Sequence, residues 1–208
     1  KIDTTPIVGA MIDLTRLGEL GNQGVLALMS DSTNVERAGY AMSEKSVGVK
    51  FEEIFANCKK RIIVATFASN VHRVQQIINA AAANGRKVAV SGRSMENIVE
   101  ISLLLGYMKV PSGVLINLDN IHKYPPEKVV IITTGSQGEP MSALTRMAFS
   151  DHRKVEMTKN DLVIISATPI PGNEKTVAAV INELFKIGVE VIYSSLADVH
   201  VSGHACIE

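Results

Sequence analysis

Six short aliphatic runs, at residues 25–30, 61–66, 87–92, 129–134, 162–167 and 190–195, limit what this chain can fold into. Their centres are continuous rather than alternating, as in Ile62-Ile63-Val64, Val130-Ile131-Ile132 and Val163-Ile164-Ile165. A strand with one wet face alternates polar and apolar residues. A strand that is apolar throughout needs cover on both faces, which is the condition of a parallel sheet. Helix-length segments separate most of the runs. Val71, Val74, Ile77, Ile78, Ala81 and Ala82 fall on one face of a 3.6-residue period, with Gly85 placed to stop that helix. Val177, Val180, Ile181, Leu184 and Phe185 do the same between Asn173 as N-cap and Gly188 as stop. Ser43 and Ser94 are read as caps of two further helices. The expectation is an α/β fold, a three-layer α/β/α arrangement around a mainly parallel sheet of about five to six strands.

Composition narrows the function classes. The apolar fraction is 46% but the aromatic fraction only 4%, so the core must be aliphatic. Twenty-one basic and twenty-one acidic side chains cancel, which excludes a polycation that coats nucleic acid by bulk charge. If RNA or DNA is the partner, the positive potential must be local. No run approaches the roughly 18–20 apolar residues of a membrane span, and Lys1-Ile2-Asp3-Thr4-Thr5-Pro6 lacks the apolar core of a signal peptide. Cys58 and Cys206 make neither a disulfide framework nor a zinc cage by themselves. These features predict a cytoplasmic protein with no membrane partner. Segments 109–127 and 149–160 read as surface connections.

In open parallel sheets the loops after the carboxyl ends of the strands share one rim, and sites gather there. Here those loops are rich in Gly, Ser, Thr and Asn. They read Asp31-Ser32-Thr33-Asn34, then Ser69-Asn70-Val71-His72-Arg73, then Gly92-Arg93-Ser94, then Gly135-Ser136-Gln137-Gly138. Pro169-Ile170-Pro171-Gly172-Asn173 and His200-Val201-Ser202-Gly203-His204 complete the set. Small residues let backbone N–H groups approach an anion, and helix N-termini favour phosphate, although ordinary strand–helix turns need the same residues. The loops at 69–73, 92–94 and 135–138 are the expected phosphate-facing rim. No GxGxxG follows a strand and no GxxxxGK[ST] occurs. His200 and His204 form HxxxH without HExxH or HxHxDH, and neither Ser32 nor Ser202 lies in a GxSxG elbow. His122 and His152 read as surface residues. His72 reads equally as a capping residue or a phosphate contact.

Taken in order, the loop motifs resemble the β-CASP region of bacterial ribonuclease J, a metallo-β-lactamase-fold ribonuclease. Leu28-Met29-Ser30-Asp31-Ser32-Thr33-Asn34, Ala65-Thr66-Phe67-Ala68-Ser69-Asn70-Val71-His72-Arg73 and Gly92-Arg93-Ser94-Met95 carry the likeness. So do Thr133-Thr134-Gly135-Ser136-Gln137-Gly138-Glu139-Pro140-Met141, Pro169-Ile170-Pro171-Gly172-Asn173 and His200-Val201-Ser202-Gly203-His204-Ala205. The resemblance implies that Asp31 is the acidic residue of motif A and His204 the histidine of motif B, close together and near the scissile phosphate. It implies RNA or phosphate contacts at Ser69, Asn70, His72, Arg73, Arg93, Ser94, Ser136, Gln137, His200, Ser202 and Gly203. In such enzymes the β-CASP domain is inserted into a metallo-β-lactamase domain that binds two zinc ions, with RNA cut in the cleft between the two domains.

The zinc motif HxHxDH, a further histidine, and the aspartate that would precede Lys1-Ile2-Asp3-Thr4 are missing here. So is the histidine expected after the end of the chain. The resemblance therefore implies a fragment with no metal ligands of its own. Residues 1–36 would end the first metallo-β-lactamase segment, 37–195 would be the β-CASP domain, and 196–208 would begin the return. The implied parent hydrolyses RNA phosphodiesters 5′ to 3′ and also endonucleolytically. It takes RNA with a 5′-monophosphate end, is a homo-oligomer, and completes its site with the metallo-β-lactamase domain. The rival reading is a non-catalytic nucleotide-binding or protein-interaction α/β domain.

Overall fold

A computed structural model describes residues 2–207; Lys1 and Glu208, the outer ends of the expected segments 1–36 and 196–208, lie outside the described residues. The chain divides into two compact units, one of residues 1–46 with 201–208 and the other of residues 47–200.

The larger unit is built on five parallel strands: β1 (Arg61–Ala65), β2 (Lys87–Ser91), β3 (Val129–Thr133), β4 (Asp161–Ile165) and β5 (Glu190–Tyr193). Their order in the sheet is β2-β3-β1-β4-β5. One row across it reads Ala89, Ile131, Ile63, Val163 and Val191. All five residues are buried in one cluster with Leu144, Met147, Val177, Val180 and Leu184. The alternate residues Ile62, Val64, Val130, Ile132 and Ile164 project to the opposite face by strand geometry and are buried too. Both faces are covered, as the continuous runs require. Helices α2 (Lys45–Asn57), α3 (Val71–Ala83), α4 (Arg93–Leu104), α5 (Ala143–Ala148) and α6 (Glu174–Ile187) supply the cover. No helix among the described residues is long and apolar enough to cross a membrane.

Local signals act where the residues allow. Asn70 caps α3 by accepting from the Arg73 backbone N–H, and Gly188 ends α6 in the left-handed region at φ 86°. Ser94 does not cap α4; that helix starts at Arg93 behind Gly92, whose φ of 111° a side chain rarely adopts. Gly138 makes the closest approach. A Cβ there would lie 2.6 Å from the backbone carbon of Thr176 in α6.

Charged clasps fasten the amino ends of the strands. Arg61 reaches both carboxylate oxygens of Asp161 at 2.7 and 2.8 Å, joining β1 to β4. Arg86, 4% exposed, donates to the carbonyls of Phe55, Lys60 and Cys58.

Two expectations need correction. Segments 109–127 and 149–160 are not simply surface connections, because Ile121 in the first and Val155 and Met157 in the second sit in the core cluster. Nor does run 25–30 form a strand. It lies in the smaller unit after the helix α1 (Leu14–Gln23), with Leu26, Leu28 and Met29 at least 84% exposed. An apolar run becomes a strand only where a neighbour supplies ladder partners, and among the described residues none pairs with it.

Gly138→Ala is expected to destabilise the larger unit by about 2–3 kcal/mol, since it adds both strain at positive φ and a clash with backbone. Chemical denaturation measures this. A loss below about 0.5 kcal/mol, the range of a plain surface substitution, would show that the loop yields.

Candidate functional site

In the smaller unit the turn at residues 31–34 and the segment 202–204 form one hydrogen-bonded network. Asp31 Oδ1 accepts from the Thr33 hydroxyl at 2.7 Å and from its backbone N–H at 3.1 Å. Asp31 Oδ2 lies 2.8 Å from Nδ1 of His204. Ser202 Oγ accepts from Asn34 Nδ2 at 2.9 Å and from the His204 backbone N–H at 3.1 Å, which ties the two segments together again. The Thr33 hydroxyl foremost, and His204 after it, hold the Asp31 carboxyl below its ordinary 3.8, at about 2. An ionised carboxylate only accepts, so His204 donates from Nδ1. Its other nitrogen, Nε2, has no partner among the described residues, and the side chain is 52% exposed. The pair expected from the resemblance is therefore together, at the surface of its unit. Gly203 is exposed beside it.

Around the carboxyl ends of the strands in the larger unit, the expected rim residues separate into two groups. Ser69, His72, Arg93 and Ser94 are exposed, with His72 in the first turn of α3 and Arg93 and Ser94 in the first turn of α4. Asn70 spends its side chain on the α3 cap.

Arg73 is a correction. It is fully buried, and its guanidinium donates to the Ser166 carbonyl at 2.9 Å and to His200 Nδ1 at 2.7 Å. A guanidinium only donates, so Nδ1 of His200 accepts. The arginine expected to face phosphate instead binds the loops after β4 and β5. Ser136 and Gln137 are likewise buried, at 2% and 3% exposed. Gln137 donates to the Thr168 carbonyl and accepts from the Ile170 N–H at 2.7 Å, so it clasps the loop after β3 to the loop after β4.

His152 also differs from expectation. It is half-buried, its Nδ1 accepts the backbone N–H of Lys154 and Val155, and its Nε2 lies 3.1 Å from Ser91 Oγ. Burial, then nearby Arg146 and Lys154, push its pKa below 6.5. The roles of Thr33, Asn34 and Ser166 were not read from the sequence. The Asp-x-Thr spacing, which lets a carboxylate take up the N–H and hydroxyl two residues on, could have revealed the first.

Residues 59–184 match the family model of the ribonuclease J β-CASP domain. The chain belongs to the ribonuclease J β-CASP family. Over all 208 residues it is 43% identical to Ribonuclease J2 of Bacillus subtilis, covering 37% of that relative. It is 47% identical to Ribonuclease J of Helicobacter pylori and 45% identical to that of Thermus thermophilus, again over 208 residues, covering 30% and 36% of them. The chain thus spans about a third of the length of the curated ribonuclease J relatives it matches.

The zinc pair implied by the resemblance does not fit the donors present. Among the described residues no group of three or more His, Cys, Asp or Glu side chains converges as metal ligands.

Two measurements test the site. Because its folded pKa is depressed, Asp31 favours the folded state above pH 3.8 and loses this as pH falls toward 2. A carbon-detected NMR titration should give a midpoint near 2, and Thr33→Val should raise it more than His204→Gln. The reverse order would make the histidine the main cause. Arg73→Met should cost about 3 kcal/mol of stability by stranding the Ser166 carbonyl and His200. An unchanged melt together with lost RNA binding would return Arg73 to the phosphate rim.

Proposed function

We propose that this chain is the RNA-binding β-CASP part of a ribonuclease J-type, metal-dependent hydrolase of RNA phosphodiesters, acting in RNA processing and decay in the cytoplasm. The observation that carries the reading is the Asp31–His204 pair at 2.8 Å, in the motifs through which the sequence resembles the family.

In this reading Asp31 orients the imidazole through Nδ1 and supports a positive charge on it. Nε2 then faces the scissile phosphate, where an imidazolium stabilises charge developing on a non-bridging oxygen or on the leaving oxygen. Ser202 and Gly203 offer hydroxyl and backbone N–H groups to an adjacent phosphate, and within the larger unit the exposed Ser69, His72, Arg93 and Ser94 are further RNA contacts. Substrate would enter with a 5′-monophosphate and be shortened 5′ to 3′, with internal cleavage as a second mode. A resident zinc pair would need ligands beyond those the described residues offer, supplied by a metallo-β-lactamase domain in a homo-oligomeric parent.

Two experiments test the proposal. The 208-residue chain alone should bind 5′-monophosphorylated RNA without degrading it; turnover abolished by a chelator would sink the two-part reading. In a full-length enzyme carrying these residues, His204→Ala should lower the single-turnover rate by about a hundredfold or more while RNA affinity holds. Asp31→Asn should do so more mildly, because it preserves part of the orientation. A normal single-turnover rate with a lowered melting temperature would make His204 structural.

A further inference from the structure

A cavity of about 570 Å³ opens beside the carboxyl end of β2, one of the two edge strands, and all of its lining comes from residues 90–154. Its volume is that of a small-ligand site. Arg93, Arg146, Arg153 and Lys154 all line it. Lys154 is paired with Asp119 at 2.7 Å, whereas the three arginines form no salt bridge among the described residues. Glu96 and Glu100 on α4 also line the cavity, and Val99, Leu115 and Ile116 provide apolar wall.

Two buried donors single this cavity out from an ordinary basic patch. Arg146 Nε is buried and meets no acceptor among the described residues. A buried N–H left unpaired is costly, and native structures hold few of them. Ser91, 1% exposed, sits at the end of β2 with its Oγ 3.1 Å from His152 Nε2. Since Nδ1 of His152 already accepts two backbone N–H groups, its proton is on Nε2 and is donated to Ser91. The serine hydroxyl thereby keeps its own hydrogen to give. Both residues line this cavity, and Arg146 also lines a second one beside α6.

We propose that this cavity is a phosphate-recognition subsite for a nucleotide. Arg146 and Ser91 donate to the phosphate oxygens, and Arg93 adds charge at the first turn of α4. The apolar wall takes the base, and Glu96 and Glu100 accept from sugar hydroxyls. None of Arg146, Ser91, His152 and Arg153 was among the contacts implied by the family resemblance. The subsite deepens the ribonuclease reading, and rests on it only where the nucleotide is a unit of an RNA chain. A free nucleotide has the same chemistry.

The test is equilibrium binding of adenosine 5′-monophosphate, adenosine and a short single-stranded RNA to the 208-residue chain at fixed ionic strength. The monophosphate should bind at least about tenfold more tightly than adenosine. Arg146→Lys keeps the charge but removes the Nε donor, and should weaken the phosphorylated probes about tenfold. Arg93→Ala and Arg153→Ala, at exposed positions, should weaken them several-fold with unchanged melting, and they carry the test if Arg146→Lys fails to fold. Weakening of both phosphorylated probes, or of the monophosphate alone, marks a free nucleotide as sufficient. Weakening of RNA alone marks a chain-bound one. Adenosine binding as tightly as its monophosphate, or variants that leave every affinity unchanged, would overturn the subsite. An unmodified chain that binds the monophosphate but no RNA would count against the ribonuclease reading alone.

Discussion

A buried guanidinium governs the end of the sheet where function is expected. Arg73 leaves the first turn of α3, is fully enclosed, and donates to the Ser166 carbonyl and His200 Nδ1. A charge removed from water is tolerable only when its donors find acceptors, so its position dictates where the loops after β4 and β5 run. Ser166 answers to the same demand. Its hydroxyl donates to the Val199 carbonyl at 2.6 Å while its backbone N–H donates to Ala65 in β1. The opposite end of the sheet is held in like manner by Arg61 with Asp161 and by Arg86 with three carbonyls. The aliphatic core between these ends has no direction of its own; the charged clasps supply it.

The Gly- and Ser-rich loops serve this construction before they serve any ligand. Gly138 is needed because α6 passes within a Cβ's reach, and Gln137 spends its amide joining two loops. What remains outward after these commitments is a smaller set, of which Arg93 and Ser94 beside the β2 cavity and Ser69 and His72 beside α3 are the exposed members. An exposed polar residue with no structural partner can wait for a ligand, and a buried one with its donors used cannot.

The smaller unit follows a different logic. Its turn at 31–34 holds an aspartate whose charge a local threonine stabilises, and the histidine that this carboxylate orients lies 173 positions further along the chain. The largest single cause of the carboxylate's low pKa, the Thr33 hydroxyl, lies within its own turn, and His204 adds to it from across the unit.

The sequence by itself determined the five buried parallel strands and the faces of α3 and α6, because burial on two faces and a 3.6-residue period are both written in the order of apolar residues. The resemblance carried by its loop motifs implied that Asp31 and His204 lie close together. The sequence did not determine that run 25–30 stays out of the sheet, since a strand is defined by its neighbours and apolar residues alone name none. Nor did it separate Arg73 from Arg93, or foresee that His152 would turn inward onto Ser91. An arginine beside a glycine-rich turn reads the same whether it faces water or carbonyls. Only the tertiary structure decided that, because the acceptors which draw Arg73 inward, Ser166 and His200, lie 93 and 127 residues away in sequence.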